Sequence, residues 1–363
     1  MAAQYTHIAE KFGFVLVLCV LASGFFVSLT ALPAAWQSPV TKKQPENILN
    51  GTLTSAYENA FAKKHILFDS ARNMWGNMEY LGFKDGRNGV LIGENGWLFS
   101  TEEFSVTDKR EDLVDHHIGL IEETSKTLEN VNIALIIALV PAKARLYQDK
   151  LDRYRYPAQN AGLYDHLRDR LNSKGLNAPD LYKPLTLNEN SFLRTDTHWS
   201  PQGAKIAAQV IAHSIAQNSD ILLQEKTFIT NTTANTQAHQ HTGDLVRYIP
   251  GAAFKLKTES VDVFETTALQ NPSSADVLFG DEHFPVTLVG TSYSANPLWH
   301  FEGHLKQALQ ADVLNFSDEG QGPFQVMKRW LSSAEFSTSK PQIVIWEIPE
   351  RYFVLSDANH KKL

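Results

Sequence analysis

The run VNIALIIALVP (Val131–Pro141) is apolar almost throughout, with a single Asn near its start. A strand with one wet face alternates apolar and polar residues, so a run without a polar phase predicts a strand covered on both faces. IVIWEI (Ile343–Ile348) reads as a second such strand, and Val286–Gly290 and Val313-Leu314 as shorter ones. Between them lie stretches of helical character: Asp112–Leu128, Ala161–Leu171, Pro201–Ala216, Ala295–Gln310 and Gln325–Leu331. Ser200 and Pro201 supply an N-cap and a first-position proline for the third of these. Alternation of this kind predicts an α/β fold, a parallel sheet flanked by helices. GVLIGENGWLFS (Gly89–Ser100) reads as a hairpin turning at Asn95-Gly96. Gln217–Pro285 is the least regular part and reads as a polar insertion.

Composition narrows the function classes. The chain has 363 residues with 33 basic and 40 acidic side chains, a net charge of −7. It carries no long basic run, which excludes nucleic acid as the expected partner, since phosphate neutralisation needs clustered Lys and Arg. The single cysteine, Cys19, lies in the N-terminal apolar stretch, so the body can hold no disulfide framework, CxxC zinc site or cysteine nucleophile.

That stretch runs uncharged from Phe12 to Trp36. At 1.5 Å per residue such a segment can cross a hydrocarbon layer about 30 Å thick. A cleaved signal peptide is the rival, but its apolar region usually spans only about 7–15 residues, so the length favours an uncleaved anchor. Lys11, opposed by Glu10, precedes the segment and Lys42 and Lys43 follow it, so charge does not fix the orientation. Gln37–Gly51, with Pro39 and Pro45, reads as a linker, and Leu53–Trp75 as a helical stretch. The expected division is an anchor over 1–36, a linker and helical lead-in over 37–85, and a catalytic domain over 86–363.

Two motifs carry chemistry. In TDTHWSPQGA (Thr195–Ala204), Asp196 and His198 lie two apart, and in extended backbone such residues share a face. The carboxylate can then take one imidazole N–H and leave the other nitrogen free to accept a proton. Alone, the pair is by default a metal-binding or loop-bonding pattern. In PVTLVGTSYSANP (Pro285–Pro297) a short strand ends at Gly290 and a turn leads through Ser292 into a helix. A Ser there sits at a strand carboxyl end, where α/β sites lie, with helix amides to stabilise an oxyanion. An N-cap serine explains the same pattern, and Ser294 fits that role. Together the motifs supply Ser, His and Asp, the set needed to activate a hydroxyl nucleophile.

With GVLIGENGWLFS, VPAKARLY (Val140–Tyr147), GDLVRYI (Gly243–Ile249), Asn315–Leu331 and IVIWEIPERYF, these motifs resemble the periplasmic polysaccharide O-acetyltransferases of the alginate acetylation system. The resemblance covers about Gly89 to Phe353 and is closer to the membrane-anchored AlgJ-type members than to the secreted AlgX-type. It implies an SGNH-hydrolase-like fold in which the DxH motif precedes the nucleophile, the order found here. Carried over by position, Ser292 is the nucleophile, His198 the base and Asp196 its orienting acid. The resemblance further implies an inner-membrane anchor with the catalytic domain in the periplasm, a polysaccharide acceptor, and an acetyl donor delivered by a multi-pass membrane acyltransferase. The AlgX-type carbohydrate-binding module is not expected after Phe353. No cofactor or resident metal is called for. A carbohydrate acetylesterase with the same triad, or a non-catalytic scaffold of a polymer-export complex, remain the competing functions.

Secondary assignments complete the expectations. Asn315 is either a second oxyanion donor or a structural turn residue, and Gly320 and Gly322 offer amides or loop flexibility. Tyr293 either stacks on a sugar ring or covers the site. Trp199 belongs to the core. Arg351 is expected to pair with Glu347 or Glu350. His239 and His241 lack an obvious third ligand and are not read as a metal site.

Overall fold

A computed structural model describes residues 14–30, 51–65, 68–218, 221, 223, 226–233, 238–251, 256, 258–269 and 284–355. The chain divides into two compact units, Met1–Phe83 with Pro250–Ala252, and Lys84–Ile249 with Ala253–Leu363.

In the first unit, residues 14–30 form a helix whose apolar side chains are largely exposed, among them Phe14, Leu21, Phe25 and Phe26. The rest of the predicted anchor and the linker before Gly51 lie outside the described residues. Among the described residues no helix is long and apolar enough to cross a membrane. The single helical stretch expected over Leu53–Trp75 is two helices, α1 (Thr52–Lys64) and α2 (Phe68–Met78), the latter running into one π-helical turn, Glu79–Phe83.

The second unit opens with the predicted hairpin, β1 (Val90–Ile92) and β2 (Leu98–Ser100), paired Val90 to Ser100 and Ile92 to Leu98. Asn95 and Gly96 both adopt left-handed φ, 53° and 79°, which is why Asn-Gly occupies this turn. Then follow α3 (Arg110–Glu129), β3 (Ala134–Val140), α4 (Lys143–Leu146), α5 (Leu163–Ser173), α6 (Tyr182–Thr186) and α7 (Pro201–Asn218). The Gly203 N–H donates to Ser200 Oγ at 3.1 Å, the expected N-cap of α7.

The region read as an irregular insertion contains two small antiparallel ladders. One pairs β4 (Phe228–Thr232) with β7 (Phe264–Ala268), the other β5 (His239–His241) with β6 (Glu259–Val261). The chain continues through β8 (Val286–Val289), α8 (Ser292–Ala295), α9 (Phe301–Leu309), β9 (Val313–Asn315), α10 (Pro323–Leu331), α11 (Ala334–Ser339) and β10 (Ile343–Pro349). The helix expected over Ala295–Gln310 is broken. Pro297 contributes no N–H, Asn296 caps a 3-10 turn, and His300 takes a left-handed φ of 55° before α9 starts.

The central sheet is parallel, in the order β3-β10-β8-β9. Side chains alternate across it, as the strand period of two requires. Ile136, Ala138, Val140, Leu288 and Ile345 face a core shared with Ala204, Ala208 and Ile211 of α7 and Leu305 of α9. Leu135, Ile137, Leu139, Val344, Trp346 and Ile348 face a second core with Ile118 and Ile121 of α3, Leu167 of α5 and Met327 and Trp330 of α10. This double coverage accounts for the absence of a polar phase in β3.

Candidate active site

All the groups that meet at the site leave the sheet at its carboxyl edge or dock there. Thr195–His198 lies on a loop closed by a bridge between Phe192 and Trp199. With no ladder to hold it, the loop is fixed by buried charge. Lys143 is buried, and its Nζ donates to the carbonyls of Leu98, Arg194 and Asp196 at 2.6, 2.9 and 2.9 Å. Burial pushes this ammonium down to about 8, opposed by Glu103 and the acids around the loop. Glu259 of β6 accepts the N–H groups of Arg194 and Thr195 and the Thr195 hydroxyl, each at 2.7 Å. Asp244 accepts the N–H and hydroxyl of Thr197.

Ser292 is placed by the end of β8. Gly290 lies so close to Glu347 of β10 that a Cβ there would meet Glu347 Oε2 at 2.5 Å. Glu347 is buried, and its carboxylate accepts the Thr291 N–H at 2.7 Å and the hydroxyls of Thr291 and Ser294. Burial pushes the Glu347 carboxyl up, while these donors favour its charged form. Thr291, not Ser294, is the N-cap, accepting the Tyr293 N–H. The helix it caps has only four residues, so its dipole at Ser292 is smaller than the sequence suggests.

The loop and the turn converge. Ser292 Oγ lies 2.6 Å from His198 Nε2, and His198 Nδ1 lies 2.6 Å from Asp196 Oδ1, which also accepts the His198 backbone N–H at 2.9 Å. Asp196 Oδ2 accepts His241 Nε2–H at 2.7 Å and the Asp244 N–H at 2.9 Å. Burial alone would raise the Asp196 carboxyl, but the hydrogen bonds from His198 and His241 outweigh it and hold the group well below the usual carboxylate range. The His198 ring stacks on Trp299 at 5.3 Å between centroids and meets Tyr293, tilted by 58°, at 4.7 Å. Trp299 Nε1 donates to the Ser292 carbonyl at 3.2 Å. With Nδ1–H directed at Asp196, Nε2 carries the lone pair and can take the Ser292 proton, an arrangement suited to nucleophilic acyl transfer.

A cavity of about 440 Å³ opens on these groups, lined also by His241, Arg247, Tyr248, Asn296, Trp299 and Arg351. Asn296 Oδ1 accepts the Leu298 N–H at 3.0 Å, which leaves its amino end as the donor. Asp196, His198 and Asp244 present ligand atoms within 4.8 Å of one another. They do not fit a resident metal. All four hydrogen bonds to the Asp196 carboxylate come from N–H donors, and a cation on its oxygens would displace the imidazoles that define the site.

For Tyr293 and Asn315 the structure takes one of the two readings left open, and for Arg351 it corrects the expected partner. Tyr293 is buried and offers no face to a sugar; its hydroxyl donates to the Thr197 carbonyl at 2.8 Å, below His198. Asn315 takes the structural turn role: its amide donates to the Ser294 carbonyl at 2.8 Å and its oxygen accepts the Ser317 N–H. Arg351 pairs with neither Glu347 nor Glu350; its Nε donates to Glu102 at 3.0 Å, and Glu350 is taken by Arg145. Trp199 is in the core, as expected. His241, Asp244, Lys143 and Glu347 were not identified from the sequence as parts of the site. The lone Glu inside IVIWEI was the one available signal, since a buried carboxylate in a strand needs partners.

A parallel sheet with a Ser-His-Asp array at its carboxyl edge defines an SGNH-hydrolase-like protein. More narrowly, the chain belongs to the family described as the SGNH hydrolase-like domain of acetyltransferase AlgX, whose pattern matches residues 90–350. It is 35% identical to the probable alginate O-acetylase AlgJ of Pseudomonas putida KT2440, over 92% of this chain and 88% of the relative. Its counterpart from Pseudomonas aeruginosa PAO1 is also 35% identical, over 97% and 90%. The solved O-acetyltransferase domain of Pseudomonas putida AlgJ superposes with a TM-score of 0.67 at 36% identity, covering 75% of this chain and 94% of that domain. Pseudomonas aeruginosa AlgX shares the fold, with a TM-score of 0.53 at 22% identity, over 81% of this chain and 70% of that structure.

Proposed function

We propose that the chain transfers acetyl groups through an acetyl-Ser292 intermediate onto hydroxyls of an acidic exopolysaccharide of the alginate type. The supporting observation is the unbroken line Ser292–His198–Asp196, with both links at 2.6 Å. Ser292 Oγ attacks the acetyl carbonyl carbon as its proton passes to His198 Nε2. Collapse expels the donor's leaving group, which takes that proton, and acetyl-Ser292 remains. A sugar hydroxyl then gives its proton to Nε2 and attacks the acetyl carbon, and Ser292 Oγ recovers the proton as it leaves. Asp196 stabilises the imidazolium in both halves. The oxyanion is assigned to the Ser292 N–H and the Asn296 amide, both of which line the cavity.

The names of the relatives support alginate or a similar polymer as acceptor, and a multi-pass membrane acyltransferase is proposed as the acetyl source. We place the protein at the inner membrane with its catalytic unit in the periplasm. The support is the exposed apolar helix over 14–30, about 26 Å long, embedded in an uncharged stretch running from Phe12 to Trp36. Mass spectrometry of the full chain after exposure to 4-nitrophenyl acetate tests the chemistry. The expected result is one acetyl group on Ser292, absent from Ser292→Ala. An adduct that persists in Ser292→Ala overturns the assignment. If the adduct is lost as fast to water as to an added oligouronate, the esterase reading replaces the transferase one.

A further inference from the structure

Asp196 is shared by two histidines, of which the proposed chemistry uses one. His198 Nδ1 lies 2.6 Å from Oδ1 and His241 Nε2 lies 2.7 Å from Oδ2. His241 comes from β5, inside the region that looked like a polar insertion, and the ladder with β6 pairs it with Glu259. That pairing couples both sides of the site, since the Glu259 carboxylate also holds the N–H groups of Arg194 and Thr195. Trp299 meets His241 edge-on at 5.4 Å and stacks on His198 at 5.3 Å, so one indole fixes both imidazoles. His241 lines the same cavity as Ser292.

We propose that His241 is a positioning residue of the acyl-transfer site, which through its hydrogen bond to Asp196 sets how much negative charge that carboxylate offers to His198. The inference rests on the Ser292–His198–Asp196 reading. Neutral His241 donates a neutral hydrogen bond and leaves the carboxylate charge to stabilise the imidazolium formed when Ser292 loses its proton. Protonated His241 brings a full positive charge to the same carboxylate and opposes a second one on His198. The charged and titratable groups facing His241 are Asp196, Asp244 and Glu259, with His239 beside it on β5, His198 across the shared carboxylate and Arg247 on the cavity wall. The hydrogen bond to Asp196 raises His241 from the ordinary histidine value, against the opposing effect of burial.

The test is the rate of Ser292 acetylation of the full chain by 4-nitrophenyl acetate between pH 5 and 9, for the parent, His241→Gln and His241→Ala. Gln keeps an N–H donor near the Nε2 position but cannot be protonated. In the parent, the acid limb is expected to fall more steeply than one proton allows. In His241→Gln it follows a single proton. His241→Ala, which leaves Oδ2 with only the Asp244 N–H, slows acetylation by about tenfold to hundredfold at the plateau. An acid limb as steep in His241→Gln as in the parent overturns the proposal, as does an Ala variant that reacts at the parent rate. A residue that only supports the fold would lower the plateau without changing the limb, and the steepness in Gln decides the matter even where Ala does not fold. Ser292→Ala in the same assay keeps the two readings apart: acetylation that survives it sinks the triad, whereas a flat His241 result with a silent Ser292→Ala sinks only this inference.

Discussion

Replacing Asp196 by Asn tests the hydrogen-bond accounting at the site most directly. The carboxylate accepts four N–H groups, two on each oxygen. Asn can accept only through its oxygen and presents two N–H groups of its own at the other end. If its oxygen faces His198, the amino end meets the donors of His241 and Asp244. If it turns, His198 must shift its proton to Nε2 and can no longer take one from Ser292. Either way the charge behind the imidazolium is gone. Each hydrogen bond to a charged group is worth roughly 1.5–3 kcal/mol, so loss of the two imidazole bonds removes about 3–6 kcal/mol, a rate drop of roughly 10²–10⁴. The assay is Ser292 acetylation at pH 8. A variant that reacts within tenfold of the parent refutes the assignment of Asp196. Stability supplies an independent check. The folded carboxyl lies well below the ordinary range, burial opposing and the imidazole hydrogen bonds prevailing. Its contribution is therefore complete above about pH 4, the value of an unperturbed Asp, and is lost as pH falls toward the folded value. The difference in melting temperature between parent and Asp196→Asn should hold constant above about pH 5 and shrink progressively as pH falls below about 4.

Two further substitutions probe the supports of the site. Lys143→Met orphans three buried carbonyls, and at about 1 kcal/mol or more for each the variant should lose roughly 3 kcal/mol in denaturant titration; unchanged stability would mean that the lysine does not anchor the Asp196 loop. Gly290→Ala places a Cβ 2.5 Å from Glu347 Oε2 and 2.9 Å from Ser294 Oγ. The Ser292 turn must shift, and acetylation should fall by at least about tenfold, as ångström-scale misplacement at a reacting group costs up to about a hundredfold; parent-like rates would show that the turn tolerates the displacement.

Much of the architecture was legible in the sequence because a strand covered on both faces has no polar phase. The runs Val131–Pro141 and Ile343–Ile348 therefore stood out, forming strands over Ala134–Val140 and Ile343–Pro349, and the Asn-Gly turn marked the hairpin. Ser292, His198 and Asp196, which the structure brings together, were legible because Ser292 opens a helix after a strand and the Asp-x-His pair stands just before another. What escaped was held by contacts distant in the chain. His241 reaches Asp196 across 45 residues, and Glu347 reaches Thr291 across 56. Nothing in the sequence around Lys143 signals its burial, which is visible only once three carbonyls surround its ammonium. Arg351 was assigned the wrong acid because β10 ends at Pro349 and the chain turns into a 3-10 helix over Glu350–Phe353, which takes Arg351 off the strand; the acid it meets, Glu102, follows the distant β2.

The strand order carries a consequence for how the molecule is made. β10, the last of the described strands in the chain, lies between β3 and β8 and is hydrogen-bonded to both. Until it arrives, the two halves of the sheet have no backbone connection, and the nucleophile turn lacks the carboxylate of Glu347. A nascent or truncated chain ending short of that strand therefore carries the serine, histidine and aspartate without a working arrangement of them.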